Sequence, residues 1–256
     1  MTIKRGADRS PVFCIHGEPL RIAMRLPKHR PVYSLNFAYS DAELKDIPAT
    51  VEAIAATYVA AIMRAQPTGK INIFGFSAGG TIAFEVARQL LESGREIGVL
   101  FLAEPTVSGT SSIGSLSLLA KHAIKNQLTW SHCAMALKTV QGVIKRRPAA
   151  IARRLTGIWC AITGRPVPER LRWVRYLEHI RPSVRQYVYR PLNCPARVLY
   201  GGLDESAVSS YESFWKNILG PSMSLHNVSD VSRHLDLMFD PALSDLTALL
   251  EEAMSG

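Results

Sequence analysis

Three kinds of side chain that together perform nucleophilic acyl chemistry occur in this sequence in a workable order. They are a serine framed by glycines, a carboxylate closing an apolar run, and a late histidine. The serine is Ser77, in Gly75-Phe76-Ser77-Ala78-Gly79. Where a strand turns sharply into a helix, such a G-x-S-x-G pentapeptide forms an elbow that lifts the hydroxyl clear of the sheet edge. Its glycines are required because a Cβ would collide with the neighbouring strand or helix. The helix after the elbow aims its first amides at the reacting atoms, so the Ala78 N–H is a donor to a developing oxyanion. His234 follows far downstream, on the C-terminal side of the serine where elbow enzymes carry their base. Two carboxylates compete to orient it and stabilise its imidazolium: Glu104, after the run Ile97–Ala103, and Asp204, in Gly201-Gly202-Leu203-Asp204. Each residue has a plainer alternative. Ser77 could simply cap the helix, His234 could be satisfied at a loop turn, and Glu104 could accept loop hydrogen bonds.

The elements that would position these groups alternate along the chain. Ile71–Phe76 is an apolar, β-branched run leading into the elbow, and 81–91 has a helical pattern ended by Ser93-Gly94. Pro11–Gly17 and Pro31–Phe37 read as earlier strands. A helix from Pro48 onward, with Pro48 in its first turn, carries Val51, Ile54, Tyr58, Val59 and Ile62 on one face as a crossover to the elbow strand. Ile97–Ala103 is apolar throughout, as expected of a strand buried on both faces of a parallel sheet. Pro195–Tyr200, a helix near 210–219, a strand near 224–228 and a closing helix near 241–253 complete the pattern. This predicts an α/β fold with a mostly parallel sheet and helices on both faces. The loop after the first strand would supply the second oxyanion donor. Pro19 has no amide hydrogen, which leaves the Glu18 N–H. His16 in that loop is a poorer candidate for the base, because it precedes the serine.

The formal charge of +9 is concentrated. Residues 106–190 hold 15 Lys+Arg against 2 Asp+Glu, a balance of +13, and the remainder holds 15 against 19, a balance of −4. The segment opens with Ser108-Gly109-Thr110-Ser111-Ser112, and its helical stretches are interrupted at Pro148, at Gly164-Arg165-Pro166 and at Pro182. A basic helical lid inserted at about 107–190 into a single domain spanning 1–256 is expected. Arg146, Arg147, Arg153 and Arg154, interleaved with Ile151, Leu155, Ile158 and Trp159, could meet phosphate or an acidic partner. A membrane-surface helix has the same pattern, but lid packing is preferred to membrane attachment. No nucleic-acid motif accompanies the charge.

The first ten residues lack an apolar core of the kind a secretion signal needs, and the other apolar runs are too short to span a bilayer. Cys14, Cys133, Cys160 and Cys194 form no C-x-x-C pair, which argues against zinc and a disulfide framework. A cytoplasmic protein without metal or cofactor is expected.

Three blocks, PVFCIHG, AQPTGKINIFGFSAGGTIAFEVARQLLESGREIGVLFLAEP and SRHLDLMFDP, make the chain resemble the thioesterase domains of nonribosomal peptide and polyketide synthases. The resemblance implies an α/β-hydrolase with a mobile helical lid. Serine would accept an acyl or peptidyl group from a phosphopantetheine carrier-protein or CoA thioester, and water or an internal nucleophile would release it. It also implies an aspartate where Glu104 stands, one methylene longer, which keeps Asp204 in contention, and a more glycine-rich first loop than Glu18-Pro19 provides. The initiating methionine points to a free-standing relative. A carboxylesterase or lipase acting on oxoesters, and a catalytically silent acyl- or partner-binding fold, are the competing readings.

Overall fold

Seven strands form one sheet in the order β1-β3-β2-β4-β5-β6-β7. The chain is described by a computed structural model over residues 2–6, 9–16, 19–37, 46–107, 156, 159, 163, 168–201, 205–228 and 234–255. The strands are β1 (Thr2–Lys4), β2 (Val12–Ile15), β3 (Val32–Leu35), β4 (Ile71–Phe76), β5 (Ile97–Ala103), β6 (Ala196–Tyr200) and β7 (Met223–Asn227). Only β1 runs antiparallel to its neighbour, β3; the other pairings are parallel. The helices are α1 (Pro19–Arg25), α2 (Val51–Ala65), α3 (Ala78–Glu92), α4 (Glu169–Gln186), α5 (Glu205–Leu219) and α6 (Ala242–Ser255), with a 3₁₀ turn at His234–Met238.

Strand alternation divides the core between the two faces. Gly75 faces α3, since a Cβ built there would lie 2.5 Å from Ala83 Cβ. Phe74 and Phe76 therefore face the opposite side, where they join Val12, Cys14, Phe101, Ala103 and Leu199 in one buried cluster. Ile22 and Ala23 of α1, Leu237 and Met238 of the 3₁₀ turn, and Leu243, Leu246 and Leu250 of α6 cover that cluster. The central pair, β4 and β5, is fully apolar from Ile73 to Phe76 and from Val99 to Ala103, apart from Gly75, as a doubly covered parallel sheet requires.

Two local expectations are corrected. α2 begins at Val51, not in the turn containing Pro48, because Thr50 is its N-cap and accepts the Ala53 N–H at 3.2 Å. α4 runs through Pro182 without stopping. Proline removes one i→i−4 donor, a loss that a helix with only one turn left to run can tolerate.

The chain divides into two compact units, Met1–Thr106 with Ile180–Gly256, and Val107–His179. The first contains the whole sheet. In the second, Thr163 Oγ1 donates to the Trp159 carbonyl at 2.7 Å, and the Trp173 and Tyr176 rings lie 5.8 Å apart. Among the described residues no helix is long and apolar enough to cross a membrane.

Candidate active site

Phe76 and Ala103 are register partners at the C-terminal ends of β4 and β5, so the residues that follow them, Ser77 and Glu104, leave the sheet side by side. Both then turn into left-handed backbone, at φ 57° for Ser77 and 43° for Glu104. Such conformations cost a non-glycine residue of order 1–3 kcal/mol and persist only where the surroundings enforce them. Here the enforcement is visible. Ser77 N–H donates to the Ala103 carbonyl and Glu104 N–H to the Leu199 carbonyl, each at 2.9 Å.

The elbow leaves no room for side chains at its glycines. A Cβ on Gly75 would approach the Gly79 carbonyl oxygen to 2.5 Å, and one on Gly79 would overlap the Ile15 carbonyl oxygen and lie 2.7 Å from His16 Cβ. Ser77 is formally the N-cap of α3, yet its side chain makes no capping hydrogen bond, so the hydroxyl is not spent on the helix. Ala78 is the first residue of α3, and its N–H belongs to the group that has no partner within a helix.

Glu104 uses its two carboxylate oxygens separately. Oε1 accepts the Gly201 N–H at 3.1 Å, and Oε2 accepts a hydrogen bond from His234 Nδ1. The extra methylene beyond aspartate lets one carboxylate reach both the β6 rim and the histidine. With Nδ1 donating to Glu104, the neutral imidazole presents Nε2 as its acceptor. His234 opens the 3₁₀ turn, which is anchored below it by the buried Leu237 and Met238. Its ring lies flat against Phe76, with centroids 4.6 Å apart and planes inclined by 17°. The Glu104 side chain is 16% exposed and that of His234 45% exposed, so the pair is sheltered at the carboxylate and open at the imidazole.

His16, which also has a positive φ (59°), is buried beneath the elbow, and burial pushes its pKa down to about 3. It is a neutral packing partner for Gly79 and a weak base. Glu18, Asp204, Arg146, Arg147, Arg153 and Arg154 lie outside the described residues. Burial pushes the Cys14 and Cys194 thiols up to about 12, which makes both poor nucleophiles. Among the described residues no group of three or more His, Cys, Asp or Glu could hold a metal ion.

A second polar set fixes the elbow helix from behind. Glu85, buried in α3, accepts hydrogen bonds from Arg88 at 2.6 Å, Gln89 at 2.7 Å and the Tyr187 hydroxyl at 2.6 Å. Burial alone would raise this carboxyl, but the hydrogen bonds from Arg88, Tyr187 and Gln89 outweigh it and hold it below its ordinary value. Tyr189 hydrogen-bonds Thr81 Oγ1 at 3.0 Å and the Thr106 carbonyl at 2.8 Å. Sequence reasoning did not find these tyrosines, the Gly201 amide or the Phe76 stack. The one available signal was the aromatic residue immediately before the serine.

Residues 20–126 match the family model described as Thioesterase domain. The chain is 27% identical over 253 residues to the non-reducing polyketide synthase stmB of Aspergillus ustus, covering 90% of this chain and 12% of that protein. It is 36% identical over 118 residues to the nonribosomal peptide synthetase pngA of Aspergillus terreus, covering 43% of this chain and 12% of that one. The chain thus spans about an eighth of the length of these relatives. Among solved structures, the NocB thioesterase domain in covalent complex with a fluorophosphonate nocardicin G analogue has a TM-score of 0.65 at 20% identity, over 98% of this chain and 96% of that one. RedJ thioesterase of Streptomyces coelicolor has a TM-score of 0.60 at 18% identity, over 96% and 89%. At those identities the structures speak for the fold alone. Over residues 20–126 the chain matches the thioesterase-domain model, its fold is that of an α/β-hydrolase, and polyketide synthases and nonribosomal peptide synthetases are among the proteins it is similar to.

Proposed function

We propose that this chain is a serine thioesterase that takes an acyl or peptidyl group from a phosphopantetheine carrier-protein or CoA thioester onto Ser77 and then releases it. The observation that carries the reading is the Glu104–His234 pair beside a strained serine whose hydroxyl is not used as a cap. In the reaction His234 Nε2 takes the Ser77 proton as Oγ attacks the thioester carbonyl. Glu104 holds the Nδ1 proton and stabilises the imidazolium, without itself being protonated. Negative charge on the carbonyl oxygen is met by the Ala78 N–H and, in this proposal, the Glu18 N–H, each donor contributing about 3 kcal/mol to transition-state stability. The imidazolium then protonates the departing thiolate. Water, or an amine or hydroxyl of the acyl chain itself, attacks the acyl-serine with His234 again as base.

The test is intact-mass analysis after exposure to a fluorophosphonate, beside a Ser77→Ala control. One adduct per chain that is lost in the mutant is expected. A labelled protein that turns over a matched oxoester faster than the thioester would instead be an esterase. Failure both to label and to deacylate an acyl carrier protein would leave a silent binding fold. The basic segment adds a second expectation. Charge reversal at Arg153 and Arg154 raises KM for a carrier-bound acyl group by about tenfold while altering turnover of a small neutral ester little. Equal effects on both substrates would remove these arginines from carrier docking.

A further inference from the structure

Among the described residues the hydrogen bond to Glu104 holds His234 at one nitrogen, and a ring held at one nitrogen can still swing about that bond. The imidazole is also 45% exposed, so the protein encloses only part of it. Against the face of the ring lies Phe76. Phe76 is 7% exposed, belongs to the buried cluster covered by α1, the 3₁₀ turn and α6, and stacks its ring on the imidazole with centroids 4.6 Å apart. Phe76 is also the residue bonded to Ser77. The side chain that sets the plane of the histidine therefore belongs to the strand end that sets the position of the serine.

We propose that Phe76 is a positioning residue for His234, fixing the imidazole plane relative to Ser77 and favouring the imidazolium that forms when the serine proton is taken up. The inference rests on the triad reading above. The aromatic face carries the negative part of the ring quadrupole, so a cation stacked on it is stabilised, whereas an aliphatic side chain of similar volume covers the same surface without that field. The longer reach of Glu104 makes such a seat more necessary, because a glutamate has one more rotatable bond than an aspartate through which register can be lost. Around the ring, the charged and titratable groups on the described elements are Glu104 on the β5 end and Tyr211 of α5, which interacts with Glu104. Asp236 lies on the same turn as the histidine, and Arg21 of α1 lies over Phe239 just beyond it. Burial first, and then the Glu104 charge, push the Tyr211 hydroxyl above its ordinary range, so it stays neutral and offers the imidazolium no counter-charge.

The experiment compares Phe76→Leu, Phe76→Met and Phe76→Tyr on the full chain with an acyl thioester, following kcat, KM, the pH profile of kcat/KM and the melting temperature. Leu and Met are expected to lower kcat about tenfold with KM changed less than about twofold, and Tyr to restore most of the loss. Without the aromatic face the protonated imidazole is less favoured, so the acid limb of kcat/KM moves to lower pH in the aliphatic variants and returns in Phe76→Tyr. A purely structural role would lower the melting temperature and the active fraction but leave that limb in place, which would overturn the proposal. If Phe76→Leu does not fold, Phe76→Met makes the same comparison. His234→Ala separates the two levels. An inactive His234→Ala beside a Phe76→Leu enzyme with unchanged kcat and unchanged acid limb refutes the seat alone, whereas a His234→Ala enzyme with full turnover refutes the triad and the seat with it.

Discussion

Glu104→Gln lowers kcat for an acyl thioester by about a thousand- to ten-thousandfold, with KM little changed, because the amide cannot hold the histidine in the tautomer that leaves Nε2 free. The size of the effect follows from the division of labour within this carboxylate. One oxygen is tied to the Gly201 amide and the other to His234, so the glutamine sets its NH₂ group either against the Gly201 N–H or against Nδ1, where it favours the tautomer with the proton on Nε2. Glu104→Asp is a separate and informative case. The substitution shortens the reach by a methylene, and an aspartate on this strand end cannot keep both partners. A loss of about a hundredfold is expected, the usual consequence of displacing a catalytic group by about 1 Å. Steady-state kinetics on the two variants, with Asp204→Asn alongside, checks the assignment. A larger loss from Asp204→Asn than from Glu104→Gln would transfer the acid role to the β6 loop.

The largest expected effect on stability lies far from this chemistry. Arg30 is 2% exposed and is gripped by Glu251 of α6, with Nε to Oε2 at 2.6 Å and Nη2 to Oε1 at 2.8 Å, while Nη1 donates to the Ser10 carbonyl at 2.8 Å. Glu251→Ala leaves a buried guanidinium without its counter-ion, at a cost of about 3–5 kcal/mol. For a domain of this size that lowers the melting temperature by roughly 6–20 °C. The loss comes from the orphaned charge, so Arg30→Met combined with Glu251→Leu should recover most of it. The pair also has a pH signature. Burial would raise the Glu251 carboxyl, but the hydrogen bonds and charge of Arg30, with the charge of Arg9, hold it below its ordinary value. A depressed carboxyl contributes its stability above the unfolded glutamate range, about pH 4.3, and loses it as pH falls through the folded value. Thermal melts from pH 6 down to pH 3 should therefore fall more steeply for the parent than for Glu251→Ala.

Much of the frame could be read without coordinates because its signals are local. The apolar runs of β4 and β5, the glycine pair around Ser77 and the helical spacing of α2 and α3 each specify one element and leave little choice of order. Elements that depend on a distant partner were not legible. β1 is three residues long and pairs with β3, and α1 is a short helix with Leu20 and Met24 exposed that packs against β1, β3 and α6. Spacing could not choose between Glu104 and Asp204, since each follows an apolar run in the sequence. The choice depends on which carboxylate meets His234, and that is a property of the turn at 234–238. Pro182 misled for a related reason, because a proline rule applies to an isolated helix while α4 is held at its end by Ser183, whose Oγ accepts the Val51 N–H at 2.8 Å.

The tyrosines behind α3 have a consequence for how such a chain can change. Thr106, where the backbone leaves the sheet-bearing unit, is tied to α3 through Tyr189 and Thr81, and the returning backbone is tied to the same helix through Tyr187 and Glu85. The two stems of the intervening segment are thus stapled to one rigid rod whatever lies between them. Closing a loop whose ends are already pinned costs only about 0.6 kcal/mol more for each doubling of its length. A segment at this point can be lengthened, shortened or exchanged with little penalty to the sheet, so the elbow and the intervening segment are free to evolve on separate schedules.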